Sequence, residues 1–156
     1  HHSHTTSRIP QQLPDAVVFA QSTEEVADII SVCHETRCPV IAFGVGSSLE
    51  GHVNAPYGGI CIDMNGMDKI LQVNSEDMDV VIQPGVTREA LNEHLRDTGL
   101  FFPIDPGANA SLGGMAATRA SGTNAVRYGT MKDNFVGWVA VLDDGRIIRT
   151  GAWALK

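Results

Sequence analysis

The most constraining feature of this chain is a stretch of small residues at positions 103–134, in which large apolar side chains are few. Gly113-Gly114, Ala116-Ala117 and Ser121-Gly122 stand as pairs within it. Small residues leave backbone uncovered, so another molecule can lie against it. Glycine also permits positive φ, at an entropic cost to the fold. A chain that accepts this cost over such a length is expected to hold a large ligand there.

The composition excludes several classes of function. A length of 156 residues fits one domain, which can bury about 68–70% of its unfolded surface. The formal charge of −7 and scattered basic residues argue against nucleic acid or anionic membrane as a partner. No apolar stretch approaches the roughly 20 residues of a membrane span, and no signal peptide is visible. We therefore expect no nucleic-acid partner and no transmembrane segment.

The three cysteines and the N-terminus carry weaker signals. Cys33, Cys38 and Cys61 are odd in number and lack CxxC spacing, which favours reduced thiols over disulfide or metal roles. Reduced thiols predict a cytoplasmic location, with a mitochondrial one as the alternative in a eukaryote. Residues 1–12 are expected to be a disordered or truncated segment, although their histidines could bind a metal as a tag does.

Periodicity and capping signals predict an α+β fold. One helix is expected to start at the capping box Ser22-Thr23-Glu24-Glu25 and to end at Pro39. A second follows Thr87 and ends near Gly99, and a third covers residues 111–118. Strands are predicted at residues 40–43, 59–64, 70–73, 80–83, 138–142 and 146–149, the last two as a hairpin.

A first glycine-bearing loop, GVGSSLEG at residues 44–51, follows a predicted strand. Consecutive backbone N–H groups in such a turn can form an anion-binding nest, to which the Ser47 and Ser48 hydroxyls add donors. Because no Lys or Arg is nearby in sequence, neutral donors suit the diphosphate of a cofactor better than a transferred phosphoryl group. Leu49 stands where GxGxxG needs its third glycine. A plain tight turn remains the alternative.

A second loop runs from Ser111 to Gly122. If a helix begins near Ser111, its free amides and positive dipole end could also face phosphate. Close packing of backbone on backbone is the alternative. Arg127 and Tyr128 add a cation and an aromatic ring nearby, with ordinary surface or core packing as the competing interpretation.

No residue pattern predicts a catalytic centre or a metal site. His34 and His94 lie on predicted helices without a second ligand at i+4, and His52, which borders the first loop, is interpreted as a loop histidine. Cap and turn roles are predicted for Asp133, Asp143 and Asp144. We find no catalytic base and no Ser/His/Asp or Cys/His arrangement.

The two loops in this order, joined by PGVTREAL, resemble the FAD-binding domain of the vanillyl-alcohol-oxidase type of flavoprotein. Within that family the likeness points to the D-lactate dehydrogenase and glycolate oxidase large-subunit branch. The likeness covers residues 13–151, and it implies that residues 13–156 are an FAD-binding domain that is incomplete at its C-terminus. The stretches that carry it are PVIAFGVGSSLEGHVNAPYGG, VIQPGVTREALNEHLRDTGLFFPIDPGANASLGGMAATRASGTNAVRYGTMKDN and VLDDGRIIRTG.

The resemblance implies a role for each loop. In that family the first loop wraps the FAD diphosphate, which assigns to it Gly44, Val45, Gly46, Ser47, Ser48 and Leu49. The second side of the diphosphate and the ribityl chain would be lined by Ser111, Gly113, Gly114, Ala117, Thr118 and Gly122. Pro106 and Gly107 would approach the flavin, and Tyr128 with Gly129 would approach the adenosine.

The resemblance also implies an activity for the parent protein. The expected reaction is oxidation of a D-2-hydroxy acid, foremost D-lactate to pyruvate, with hydride transfer to flavin N5 and electrons passing to cytochrome c, a quinone or another acceptor. Relatives that tether FAD often carry a histidine where this chain has Ser47, so non-covalent FAD is expected. The family continues past Lys156 into a domain that supplies catalytic residues and, in relatives, a divalent metal site.

Two alternatives stay open. The chain could be a non-catalytic FAD-binding or subunit-interaction module, and the fragment alone is expected to be inactive. The parent could also oxidise glycolate or 2-hydroxyglutarate, because the residues that contact substrate are expected beyond Lys156.

Overall fold

Three strands form a parallel sheet in a computed structural model that describes His2 and residues 10–151. They are β1 (Ala16–Phe19), β2 (Val40–Phe43) and β3 (Ile60–Asp63), and their order in the sheet is β1-β3-β2. The predicted strands at 40–43 and 59–64 are confirmed, whereas β1 was not predicted. All three strands therefore end at the same edge of the sheet, where the first glycine loop begins.

Helix α1 (Thr23–Thr36) starts where its capping signal predicts. The Ser22 hydroxyl oxygen accepts a hydrogen bond from the N–H of Glu25 at 3.1 Å. The Glu25 carboxylate accepts from the N–H of Gln21 at 2.8 Å, one residue ahead of the N-cap that an ideal capping box would serve. The Ser22 hydroxyl thus satisfies a backbone donor that the helix start leaves unpaired, and the Glu25 carboxylate binds the chain just ahead of the helix.

An antiparallel pair and a second helix follow the sheet. Strands β4 (Ile70–Asn74) and β5 (Asp79–Ile82) are confirmed, and they pair with each other, which was not predicted. Helix α2 (Arg88–Leu95) is capped by Thr87, whose hydroxyl oxygen accepts a backbone N–H at 3.2 Å. A 3₁₀ turn continues it to Gly99, which takes a left-handed φ of 76°. The predicted start and end of this helix are confirmed.

The small-residue stretch contains more helix than its sequence predicts. Helix α3 (Leu112–Ala117) is confirmed, while α4 (Ala125–Tyr128) and the 3₁₀ turn Met131–Asn134 were not predicted. The Thr130 N–H donates to the Asp133 carboxylate at 2.8 Å, and the two residues form a capping box. The cap role predicted for Asp133 is therefore confirmed.

The predicted hairpin near the end of the described chain is confirmed as β6 (Gly137–Val141) and β7 (Ile147–Gly151). In the Asp143-Asp144 turn, the Asp144 carboxylate accepts from the N–H of Arg146 at 3.1 Å. Gly145 packs so closely on α1 that a Cβ there would overlap the Ser31 hydroxyl. This contact holds the hairpin against the helix.

Apolar side chains gather in two main clusters. The larger joins α2, α3 and the β4–β5 pair around Val86, Leu91, Leu95, Ile104, Ala110, Leu112, Met115 and Met131. The smaller packs α1 on β3 around Ala20, Val26, Ile62 and Met67, with Val141 of β6 against it. The two clusters position α3 and the parallel sheet, the elements that carry the two loops.

A disordered or truncated segment was expected at residues 1–12. Of these, residues 1 and 3–9 lie outside the described part of the chain. Of the residues that are described, Gln12 accepts a hydrogen bond from the N–H of Ala55 at 3.1 Å.

Two glycines with positive φ allow a test of close packing at the sheet. Gly59 (φ 91°) is buried, and a Cβ there would collide with the backbone of Pro39, whereas Gly99 (φ 76°) has nothing within 4 Å of such a Cβ. Gly99→Ala should cost about 1–2 kcal/mol for the left-handed backbone alone. Gly59→Ala should cost roughly 1–3 kcal/mol more because of overpacking. Urea unfolding of both variants checks this, and equal losses would contradict it.

Candidate functional site

The first loop leaves the parallel sheet at a buried carboxylate. Asp63, at the end of β3, is 4% exposed, and its two oxygens lie 2.8 Å from the Asn65 N–H and 2.7 Å from His2 Nε2. The Asn65 side-chain amide donates to the Gly44 carbonyl at 2.8 Å. Through Asn65, the residues at the end of β3 thus fix the position of Gly44, where the first loop begins. Sequence reasoning missed this role, although Asp and Asn beside a predicted turn are a readable signal.

The first loop offers a series of backbone donors. Within the described chain, the N–H groups of residues 44–48 have no intramolecular acceptor. Val45, Ser47 and Leu49 are exposed, while Gly46 takes a φ of 73° and lies against the Phe43 ring. Successive unpaired N–H groups at a surface turn are an arrangement that can bind an anion.

Helix α3 meets this loop at its first residue. Ser111, the N-cap of α3, is 2% exposed, and its hydroxyl lies so close to Gly44 that a Cβ on that glycine would overlap it. The resemblance assigns these two residues to the same site from opposite sides, and the structure brings them into contact. Only a residue without a side chain fits at position 44.

The backbone donors at the start of α3 are mostly used within the fold. The N–H of Leu112 donates to the Val86 carbonyl at 2.8 Å, and the N–H of Gly113 donates to the Pro84 carbonyl at 2.9 Å. Among described residues, nothing accepts from the N–H of Gly114. The expected group of free helix amides is therefore reduced to Gly114.

The outer face of α3 is lined by small residues. Gly114, Ala117 and Thr118 are exposed, whereas Leu112 and Met115 on the other face are buried. The Thr118 hydroxyl donates to the Gly114 carbonyl at 2.9 Å, which leaves little of the side chain projecting. The exposed face of α3 consequently has few projecting side chains beside the first loop, so an extended ligand can lie against it.

Gly113 and Gly122 are small because their own chain lies against them. A Cβ on Gly113 would overlap Pro84, and one on Gly122 would overlap Asp105. The Asp105 carboxylate accepts from the Thr123 hydroxyl at 2.6 Å and from a backbone N–H at 2.9 Å, and these bonds lower its pKa. For both glycines the structure supports the backbone-packing interpretation that the sequence left open.

Tyr128 and Gly129 lie at the end of α4. The Tyr128 ring stacks edge-on against Phe101, with ring centres 5.4 Å apart, and the Arg127 guanidinium carbon lies 5.2 Å from its centre. Gly129 has a φ of 80° and no room for a Cβ beside Asp133. Both residues thus have structural partners, although Tyr128 keeps 37% of its surface exposed.

Pro106 and Gly107 lie in an irregular segment before α3. Gly107 is exposed, takes a φ of 83° and has nothing within 4 Å of where a Cβ would stand. The positive φ therefore explains why residue 107 is a glycine, and the space beside this residue is open.

A polar pair in the first loop was missed by sequence reasoning. His52, interpreted from sequence as a loop histidine, has its Nδ1 2.8 Å from the Ser48 hydroxyl, and its Nε2 lies 3.6 Å from the Glu50 carboxylate. The i,i+4 spacing across a glycine turn is the only sequence signal. The pair orients the Ser48 hydroxyl at the loop surface.

Comparison with known proteins identifies the family. The sequence model described as "FAD binding domain" matches residues 14–151. The chain belongs to this FAD-binding family. Its fold also matches the solved structure of an alkyldihydroxyacetonephosphate synthase with a TM-score of 0.77 and 28% identity, over 87% of this chain and 28% of that one. The expected family and α+β fold class are thereby confirmed.

Named relatives of this FAD-binding chain include dehydrogenases and an oxidase subunit. A probable mitochondrial D-lactate dehydrogenase of Danio rerio is 56% identical over 88% of this chain and 28% of its own length. A mitochondrial D-lactate dehydrogenase [cytochrome] of Arabidopsis thaliana is 49% identical over 92% and 25%. Glycolate oxidase subunit GlcD of Bacillus subtilis is 33% identical over 94% and 32%. The chain spans about a quarter to a third of these relatives.

The described residues contain neither a membrane-spanning helix nor a cluster of metal ligands. None of their helices is long and apolar enough to cross a membrane. They also contain no group of three or more His, Cys, Asp or Glu side chains arranged to hold a metal ion.

The contact between Gly44 and Ser111 predicts a compensating pair of substitutions. Gly44→Ala should destabilise the protein because the new methyl group overlaps the Ser111 hydroxyl. Ser111→Ala should cost little alone, since that hydroxyl makes no cap hydrogen bond. In the double variant most of the Gly44→Ala loss should be recovered, a coupling of roughly 0.5–3 kcal/mol in urea unfolding. Additive losses would show that the two loops do not meet in this way.

Proposed function

We propose that this chain holds FAD non-covalently for a flavin-dependent enzyme that oxidises a D-2-hydroxy acid, foremost D-lactate. The observation that carries the FAD assignment is the series of unpaired N–H groups at residues 44–48, beside the contact between Gly44 and Ser111. A diphosphate is the part of FAD that such donors fit, because it is anionic and accepts several hydrogen bonds at once.

The residues of the proposed site fall into two groups, namely the backbone N–H donors and the small residues on the outer face of α3 against which the cofactor would lie. In the proposal, Gly44 to Ser48 direct their N–H groups to the diphosphate, and Gly114 adds the one free amide of α3. The small outer face of α3, with Ala117 and Thr118, supports the linear part of the cofactor. The remaining assignments rest on the resemblance alone, namely Leu49, Pro106, Gly107, Gly113, Gly122, Tyr128 and Gly129.

The chain's own contribution is binding and orientation. Bound FAD supplies the redox chemistry of such an enzyme, while the protein positions it and excludes competing reactions. In the proposed site, the polar groups are backbone N–H donors and side chains that hold the first loop in place. The catalytic and metal-binding side chains belong, in this proposal, to the part of the protein that the relatives have beyond this span.

Ser47 supports non-covalent attachment. It is exposed and stands at the position where tethering relatives carry a histidine, and a hydroxyl does not supply the imidazole nitrogen of that linkage. His52, the histidine nearest in sequence, lies with its Nδ1 against Ser48.

The names of relatives support the substrate and setting. Four are called mitochondrial D-lactate dehydrogenases, and three of these carry the word cytochrome in their names. These names favour D-lactate as substrate, a cytochrome as acceptor and the mitochondrial alternative for location over the cytoplasmic one. The GlcD relative supports glycolate as the competing substrate.

The proposed packing of FAD on the outer face of α3 predicts a selective loss of FAD affinity. Ala117→Leu places a bulky side chain on the exposed face of α3 and should weaken FAD binding at least tenfold in a fluorescence titration. Ala90→Leu, the same change at an exposed position of α2, serves as the matched control and should leave affinity unchanged. Equal affinities would contradict the proposed packing of FAD on α3.

Non-covalent attachment predicts that unfolding and filtering the protein releases all of its flavin. Flavin retained on the unfolded chain would contradict it.

The proposed activity predicts stereospecific turnover by the full-length protein. Purified with FAD, it should reduce an artificial electron acceptor with D-lactate, whereas L-lactate should give a rate near that of the blank. Glycolate and D-2-hydroxyglutarate tested in parallel distinguish the competing substrates. Tight FAD binding without turnover on any of the four acids would favour the non-catalytic binding module.

A further inference from the structure

Helix α1 ends in a turn that brings two cysteines together. Arg37 adopts a left-handed φ of 55°, the N–H of Cys38 donates to the Cys33 carbonyl at 2.8 Å, and the N–H of Arg37 donates to the His34 carbonyl at 3.2 Å. These two bonds define a Schellman motif, in which the side chains at the positions of Cys33 and Cys38 pack together. Two cysteines five residues apart thereby become neighbours, a spacing that no CxxC search detects.

The two thiols differ in exposure. Both are free, and the Cys38 thiol lies 3.7 Å from the Pro39 carbonyl oxygen. Cys33 is 6% exposed, and burial together with the neighbouring thiol raises its pKa. Cys38 is only half-buried. An external reagent therefore meets Cys38 first, with Cys33 directly behind it.

We propose that Cys33 and Cys38 are a reversible redox pair that closes an intramolecular disulfide by exchange with a low-molecular-weight disulfide such as glutathione disulfide. A disulfide requires Cβ atoms about 3.5–4.5 Å apart. The Schellman turn already joins the backbone of the two residues by a hydrogen bond, and in the proposal side-chain rotation brings the sulfur atoms to bonding distance.

The exchange proceeds in two balanced steps. The Cys38 thiolate attacks one sulfur of the external disulfide, whose S–S bond breaks and releases one thiolate. The Cys33 thiolate then attacks the Cys38 sulfur of the mixed disulfide and releases the second. Two protein thiols lose two electrons to the external disulfide, which leaves as two thiols carrying the two protons.

The third cysteine provides an internal comparison. Cys61 lies on the central strand β3, is 0% exposed, and its pKa is raised chiefly by burial. In the folded protein it should stay unmodified. The Cys33–Cys38 pair sits at the junction of α1 and β2, where the Pro39 carbonyl accepts from the N–H of Ile60 at 2.8 Å. The proposal is independent of FAD binding.

Peptide mapping without reductant tests the proposal in the full-length folded protein. Trypsin cleaves after Arg37, so Cys33 falls in the peptide of residues 9–37, and Cys38 with Cys61 falls in the peptide of residues 38–69. After treatment with glutathione disulfide, these peptides should appear joined, two hydrogens lighter than their sum, and should separate on reduction. A stable glutathione adduct on Cys38, a link within residues 38–69, or no oxidation at all would overturn the proposal.

Single substitutions resolve the order of events. Cys33→Ser should trap the glutathione adduct on Cys38, which the unsubstituted protein passes on to the disulfide. Cys61→Ser, the matched control, should still give the joined peptides. An adduct on Cys38 that is equally stable with and without Cys33 would show that the two thiols do not communicate. Fragmentation of the joined peptides in the mass spectrometer shows whether Cys38 or Cys61 is linked to Cys33, so the map of the unsubstituted protein decides the question even if a variant fails to fold.

Discussion

The site depends on a short backbone ladder between residues 84–88 and the start of α3. The Leu112 and Gly113 N–H groups donate to the Val86 and Pro84 carbonyls, and the Arg88 N–H donates to the Ala110 carbonyl at 3.1 Å. This ladder anchors α3 on the larger apolar cluster and sets Ser111 against Gly44. Because it uses the helix amides for the fold, the donors of the proposed diphosphate site come mainly from the first loop.

The glycines of the small-residue stretch consequently serve two purposes. Gly113 and Gly122 are small so that Pro84 and Asp105 can pack against them, which is a requirement of the folded chain itself. Gly107 borders space that the described chain leaves open, whereas Gly114 is exposed but a Cβ there would lie 3.0 Å from the Ser111 hydroxyl. A composition rich in glycine therefore signals a ligand only in part, and the structure is needed to separate packing glycines from those that face a cofactor.

Local signals made the helix starts predictable, since Ser22 and Thr87 each cap a helix through a hydrogen bond within three residues. Long-range pairing was not predictable in the same way. Strand β1 is four residues long, and its partner β3 begins more than forty residues later, so no local pattern shows that the strands are parallel. The two loops of the site were predicted from the family resemblance. The hydrogen bond from Asn65 to Gly44 and the Ser48–His52 pair were not predicted, because they depend on side-chain contacts that form only in the folded chain.

A site built from neutral donors obtains its selectivity from shape. Amide N–H groups carry no formal charge, so their attraction for a diphosphate depends on several of them converging at hydrogen-bond distance. Such convergence requires a rigid loop. Asn65 holds the Gly44 carbonyl, the Phe43 ring supports Gly46, and Ser111 blocks any side chain at position 44. In the proposed site, the residues that determine cofactor affinity therefore include those that fix the backbone of the first loop, and not only those that would touch FAD.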